Sequence, residues 1–207
     1  EQQYLVADAE VIDETIVNKS RFICYLAPCD SNDAAKAHLE RVRQQHPNAS
    51  HHCYAFISSY PHDSQSYGFS DDGEPTGTAG RPMLAVLQGS NIGEVSAIVV
   101  RYFGGTKLGT GGLQRAYGGS VREALGKLTT RVKVPMAKRK ILCEYAQVND
   151  ILRLVEQFEG HVETQEFQSD VTLIIALPLT AIGQANDALQ TLTAGQLTLQ
   201  ELTKSKR

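Results

Sequence analysis

The chain has 207 residues, 42% of them hydrophobic, and a formal charge of −3. That balance excludes a protein basic over its whole surface, the usual electrostatic footprint of a nucleic-acid binder, and leaves room only for a local basic patch. Cys24, Cys29, Cys53 and Cys143 show neither CxxC spacing nor a paired metal-ligand pattern, and no stretch approaches the roughly 18 apolar residues of a membrane span, so a cytoplasmic protein with reduced thiols and no membrane partner is expected.

The spacing predicts two domains, residues 1–134 and 135–207, divided near Pro135. In the first, strand-like Glu10 to Val17 and Arg21 to Ala27 flank the turn-prone Asn18-Lys19-Ser20, which predicts a hairpin. Ser31 or Asn32 then caps a helix carrying Ala35, Leu39 and Val42 on one face and ending before Pro47. A strand over His52 to Ser58 follows, and after it a helix from Pro82 to Gly89. Val95 to Val100 is apolar on both faces, as a central buried strand should be, and runs straight into Arg101 and a double glycine. From Gly112 a longer helix places Leu113, Tyr117, Val121, Leu125 and Leu128 at near-helical spacing, with Thr110 as its expected cap.

In the second domain, alternation over Ile141 to Tyr145 predicts a strand. A helix capped by Asn149 carries Ile151, Leu154, Val155 and Phe158 and closes at Gly160. Strands over His161 to Gln168 and Val171 to Leu177 come next, then a helix from Thr180 to Gly195 and a last strand at Leu197 to Leu199. The order βαββαβ is that of a ferredoxin-like split βαβ domain, so the fold class is α+β.

Thirteen of the 17 glycines lie between Gly68 and Gly119. A strand ending in a glycine-rich turn that opens a helix presents backbone N–H groups to an anion. Arg101, Gly104, Gly105, Lys107, Gly109, Thr110, Gly111 and Gly112 are therefore the candidate phosphate-binding residues, although the run matches neither the Walker pattern nor GxGxxG. Gly118 and Gly119 fall inside a helix, where close packing against a neighbouring helix is the simpler explanation.

Asp71, Asp72 and Glu74 form an acidic loop open to three roles: ligating Mg²⁺, folding an Asx-turn, or pairing with Arg101. With His52 they make a candidate polar cleft. His51, His52, Cys53 and His62 invite a metal or nucleophile reading, but the spacing is poor for zinc, and His52 and Cys53 sit in one strand and point to opposite faces, which argues against a shared ligand. Between Lys127 and Lys140 no acidic residue occurs, and Arg131, Lys133, Lys138, Arg139 and Lys140 form either a solvated linker or a nucleic-acid contact. No catalytic set of Ser, His and Asp type is visible, so no catalytic residue is assigned, and a metal role is left open.

The phrase Arg101-Tyr102-Phe103-Gly104-Gly105-x-x-Leu108-Gly109, with Gly111-Gly112-Leu113 and Ala116-Tyr117 behind it, resembles the IMPACT family in its bacterial form. So do Ser70-Asp71-Asp72-Gly73-Glu74-Pro75-x-Gly77-Thr78-Ala79-Gly80-x-Pro82 and His51-His52-Cys53, and the likeness runs over nearly the whole chain. The resemblance implies an N-terminal domain similar to the second domain of a small-subunit ribosomal protein, a fold shared with translocating elongation factors and GHMP-type kinases. It implies a C-terminal domain like the last domain of elongation factor G.

Eukaryotic members restrain the amino-acid-starvation kinase that acts on initiation factor 2, partly through an additional N-terminal domain. For this chain the resemblance implies only a general association with translation. The expectation is thus a non-catalytic regulatory protein that engages ribosome or RNA, with no cofactor. The alternative is an Mg²⁺-dependent enzyme acting on a phosphorylated small molecule at the glycine turn. A third reading is an adaptor that binds a protein partner through its C-terminal sheet.

Overall fold

The computed structural model describes residues 3–203. The chain divides into two units, Tyr4–Lys133 and the segment from Val134 onward.

In the first unit, β2 (Val11–Val17) and β3 (Ser20–Pro28) form a hairpin. Its two turn residues, Asn18 and Lys19, have φ of 47° and 66°, the left-handed pair that a two-residue type I′ turn requires. β3 pairs with β7 (Val95–Tyr102), which pairs in turn with β4 (His51–Ile57), and β5 (Tyr67–Ser70) forms the far edge. The order is β2-β3-β7-β4-β5, antiparallel throughout.

β7 is apolar on both faces because both faces are covered. On one side, α2 (Gly80–Gly89) and α3 (Gly109–Leu125) pack Met83, Leu87, Tyr117 and Val121 against Phe22, Cys24, Cys53 and Val99. On the other, α1 (Asn32–Gln45) sets Val42 and Leu39 against Ile23, Ile98 and Val100. Ser31 is the cap of α1, accepting the Ala34 amide at 3.0 Å. A second sheet, ordered β6-β1-β8, is built from β1 (Tyr4–Ala7), β6 (Ile92–Gly93) and β8 (Thr130–Lys133). Glu94 stitches it, accepting the Tyr4 hydroxyl at 3.1 Å and the Lys133 ammonium at 2.5 Å.

The second unit runs β9 (Met136–Cys143), α4 (Val148–Gln157), β10 (His161–Phe167), β11 (Val171–Pro178) and α5 (Ile182–Leu192). Its sheet is ordered β10-β11-β9, with Ile151, Leu154, Ala185 and Leu189 of both helices packed on Ile141, Leu173, Ile175 and Leu177. The expected fourth strand is reduced to one bridge, in which Lys140 and Gln200 exchange hydrogen bonds of 2.8 and 2.9 Å. The reason is local. The Leu197 amide donates to Thr193 Oγ1 and the Leu199 amide to Asn186 Oδ1, so neither is free for a ladder.

Several expected caps move. α4 is preceded by a 3₁₀ turn over Tyr145–Gln147 with a Glu144/Gln147 capping box, so Asn149 lies inside the helix. At its other end Glu159 takes the positive φ of 60°, and Gly160 serves a different need: a Cβ there would lie 2.5 Å from the Ala176 carbonyl oxygen. Thr180 lies in a 3₁₀ turn before α5, which has no side-chain cap. The stretch read as linker is largely strand, β8 and the first half of β9.

Candidate functional site

The strand register creates the site. His51 on β4 lies directly opposite Arg101 near the end of β7, and the Ser50 amide donates to the Arg101 carbonyl at 2.9 Å. The acidic loop after β5 folds over them. Asp72 and Gly73 both take positive φ, 43° and 84°, closing a turn in which the Glu74 amide donates to the Asp71 carbonyl at 3.0 Å.

Each carboxylate of this loop is already engaged. Asp71 Oδ2 accepts the Gly77 amide at 2.9 Å, while its Oδ1 accepts the Ala79 and Gly80 amides at 3.1 and 2.8 Å, capping the start of α2. Burial pushes the Asp71 pKa up, but the three backbone donors outweigh it and the net shift is downward. Asp72 Oδ2 accepts the His52 amide at 2.7 Å, and His52 Nε2 donates to the His46 carbonyl at 2.7 Å.

Glu74 is buried, and four interactions converge on it. Arg101 Nη1 donates to both carboxylate oxygens at 2.9 and 2.8 Å, the Tyr117 hydroxyl donates to Oε2 at 2.6 Å, and His51 Nε2 lies 3.1 Å from Oε1. His51 Nδ1 faces the Asp72 carbonyl at 2.7 Å, so each ring nitrogen meets an oxygen acceptor. Burial pushes the Tyr117 hydroxyl far above its ordinary pKa and keeps it a donor. Arg101 Nη2 also reaches Ser20 Oγ at 3.3 Å, and the guanidinium carbon lies 5.6 Å from the Phe22 ring centre and 5.5 Å from that of Phe103. Beneath it, burial pushes the Cys53 thiol up to about 12, and its Sγ donates to the Asp71 carbonyl at 3.1 Å.

Above this floor opens a cavity of about 540 Å³ whose walls include Ser50, Phe103, Lys107, Gly109 and Thr110, with His51, Glu74 and Arg101 at its base. α3 starts at its edge. Leu108 occupies the cap position without any side-chain hydrogen bond, and Thr110, expected as the cap, sits in the first helical turn. The glycines divide by physical role. At Gly104 a Cβ would lie 2.0 Å from the Lys19 carbonyl oxygen, so the loop rests on the tip of the β2–β3 hairpin. Gly105 and Gly109 have φ of 87° and 74° with open space around them, a conformational need rather than a packing one. Gly111 and Gly112 lie against Arg115 and Leu108 within the helix, and Gly118 faces Val86 and Pro82 of α2, whereas Gly119 faces nothing.

The basic residues divide between the units. Arg131 and Lys133 belong to β8, where they pair with Asp8 at 3.2 Å and Glu94 at 2.5 Å. Lys138, Arg139 and Lys140 belong to β9; Lys138 pairs with Glu163 at 3.7 Å and Arg139 donates to the Lys138 carbonyl. Among the described residues, no group of three or more His, Cys, Asp or Glu side chains is placed to hold a metal ion. Among the described residues, no helix is long and apolar enough to cross a membrane.

Sequence reasoning missed two members of the floor. Tyr117 reads as one more apolar position on a helical stripe, and His51 reads with His52, Cys53 and His62 as a candidate metal or nucleophile set. Only the register, which sets His51 against Arg101, exposes their shared partner Glu74.

The fold and site thus define a two-unit α+β protein with a glycine-built cleft over a self-neutralised ionic floor. Residues 18–125 match the Impact N-terminal domain, and residues 141–196 match a domain of unknown function, DUF1949. The chain is 47% identical over 198 residues to the IMPACT family member YigZ of Escherichia coli, spanning 96% of this chain and 97% of that one. It is 44% identical to an IMPACT family member of Haemophilus influenzae, spanning 97% of each. A crystal structure titled as that of a hypothetical protein superposes with a TM-score of 0.77 at 45% identity, covering 99% of this chain and all of the other. The chain belongs to the IMPACT family.

Proposed function

We propose that this protein is a translation-associated regulator that binds RNA, on or off the ribosome, without catalysing a reaction on it. The observation that carries the reading is the cleft itself. The N-terminus of α3 has no side-chain cap and opens into the same cavity as Lys107 and Phe103, which is 51% exposed. A helix N-terminus with a lysine beside it suits a backbone phosphate, and an exposed aromatic ring suits an unpaired base. The floor supports binding over chemistry, because Glu74 and Arg101 are held by one another and Asp71 by three amides. Family membership adds the association with translation.

The test is binding of labelled single-stranded RNA to the full chain over a range of salt concentrations, with cosedimentation on ribosomes in parallel. Affinity should fall steeply with salt, with a slope of about −0.7 per phosphate contacted. Lys107→Glu should flatten that slope, and Phe103→Ala should weaken binding while leaving the slope unchanged. Binding to neither RNA nor ribosomes, or binding indifferent to salt, would overturn the reading.

A further inference from the structure

The opposite face of the five-stranded sheet carries a second cavity, of about 260 Å³, between α1 and β4. Its walls include Lys36, Leu39, Tyr54, Phe56, Gln65 and Tyr67. Tyr54 and Phe56 alternate along β4 with Cys53 and Ala55, which enter the core under α2 and α3, so both rings leave on the α1 side. The two rings lie 6.1 Å apart and within 19° of parallel. Gly68 on β5 makes room for this wall: a Cβ there would lie 2.3 Å from Phe56 Cζ.

Polar groups converge on the same cavity. Among the described residues, the Tyr54 hydroxyl, the Gln65 amide group and the Lys36 ammonium make no hydrogen bond or ion pair within the protein. At the floor Ser96 is 1% exposed, and its Oγ is fixed by His38 Nδ1 at 2.7 Å. An aromatic wall with a few convergent polar groups is the usual composition of a small-ligand site, and the volume lies just under the roughly 300–1,000 Å³ of drug-sized pockets, enough for one ring system.

We propose that this cavity is an adenine-nucleotide site. The base lies against the Tyr54 and Phe56 wall with Leu39 across from it. The Gln65 amide, a donor and an acceptor side by side, matches the N6 and N7 edge of adenine, and Lys36 at the mouth meets the phosphate. A free nucleotide and an adenine within an RNA strand offer the same chemistry. The site is separate from the α3 cleft and does not rest on the function proposed for it.

The experiment is titration of the full-length ¹⁵N-labelled protein with AMP, GMP, oligo(A) and oligo(U), followed by amide shifts and calorimetry. AMP or oligo(A) should move the amides of Lys36, Tyr54, Phe56 and Gln65. Lys36→Ala should weaken that binding about tenfold, by loss of one charge-assisted contact. Gln65→Ala should erase the preference for AMP over GMP. Both side chains are exposed, and an unchanged melting temperature certifies the fold. Response to AMP identifies a free-nucleotide site, and response to oligo(A) alone identifies a base pocket for RNA. Lys107→Glu should leave both responses intact, which keeps failure of the α3 cleft distinct from failure here. If neither AMP nor oligo(A) moves these amides, or if binding ignores both substitutions, the assignment is wrong.

Discussion

A single nitrogen of Arg101, Nη1, sits 2.9 and 2.8 Å from the two carboxylate oxygens of Glu74. Both side chains are buried, so the charges are matched against each other in place of water. Removing one partner strands the other charge, at a cost of about 3–5 kcal/mol, whereas removing both is far milder. Arg101→Met and Glu74→Gln should each lose that much in urea unfolding, and the double variant should lose clearly less than their sum. Additive losses would mean that the pair is not coupled.

Asp71 holds the start of α2 by three amides, so Asp71→Ala should destabilise the protein by about 1–2 kcal/mol, the usual worth of a good cap. Because its folded pKa is depressed, the carboxylate's contribution is full above the unfolded carboxylate value and is lost as pH falls through the folded one. Asp71→Asn should remove that part of the acid sensitivity while keeping much of the capping. Unfolding midpoints measured between neutral pH and pH 3 decide it.

His38 adds a second acid-sensitive term. Desolvation beneath α1 depresses it to about 4, the nearby Arg41 charge acting in the same direction. The unfolded histidine takes up its proton near pH 6.5, whereas the folded one resists until about pH 4. Stability therefore falls as pH drops through that window, by about 3 kcal/mol at its end. His38→Asn, which can still meet Ser96, should flatten the slope between pH 6.5 and 4. A slope of unchanged steepness would remove His38 as its source.

Gly104 and Gly105 should respond differently to alanine. At Gly104 the new methyl would collide with the Lys19 carbonyl, so Gly104→Ala should lift the loop off the hairpin and cost about 1–3 kcal/mol. At Gly105 there is open space, and only the positive φ penalises the change, by about 1–2 kcal/mol. Chemical shifts of Asn18 and Lys19 separate the two, moving for the first variant and staying still for the second.

Elements with strong periodicity were legible in the sequence: the β2–β3 hairpin, a cap for α1 at Ser31 or Asn32, the buried β7 strand and the α3 stripe as far as Leu125, with Leu128 beyond the helix end, follow from residue spacing. β1, β6 and β8 were not, because strands of two to four residues carry no period long enough to read. Leu197 to Leu199 has a strand's alternation, but side chains of Thr193 and Asn186 claim its amides first. The candidate site was half visible. Glycine density marked the cleft, and pairing with Arg101 was among the roles open to the acidic loop. That Glu74 takes it, leaving Asp71 to α2, depends on a turn whose dihedrals no composition reveals.

Arg101 lies between a buried ring, Phe22, and an exposed one, Phe103, and Phe22 in turn meets Tyr117 edge-on at 5.2 Å. The lip of the cleft is therefore wired to the core of the first unit through one guanidinium. Since the chain contains no tryptophan, an indole placed by Phe103→Trp would be its single indole, and excitation beyond the absorption of the eight tyrosines would isolate its emission, quenched or brightened by whatever settles on it. One indole would thus watch the surface and, through the cation behind it, the integrity of the interior.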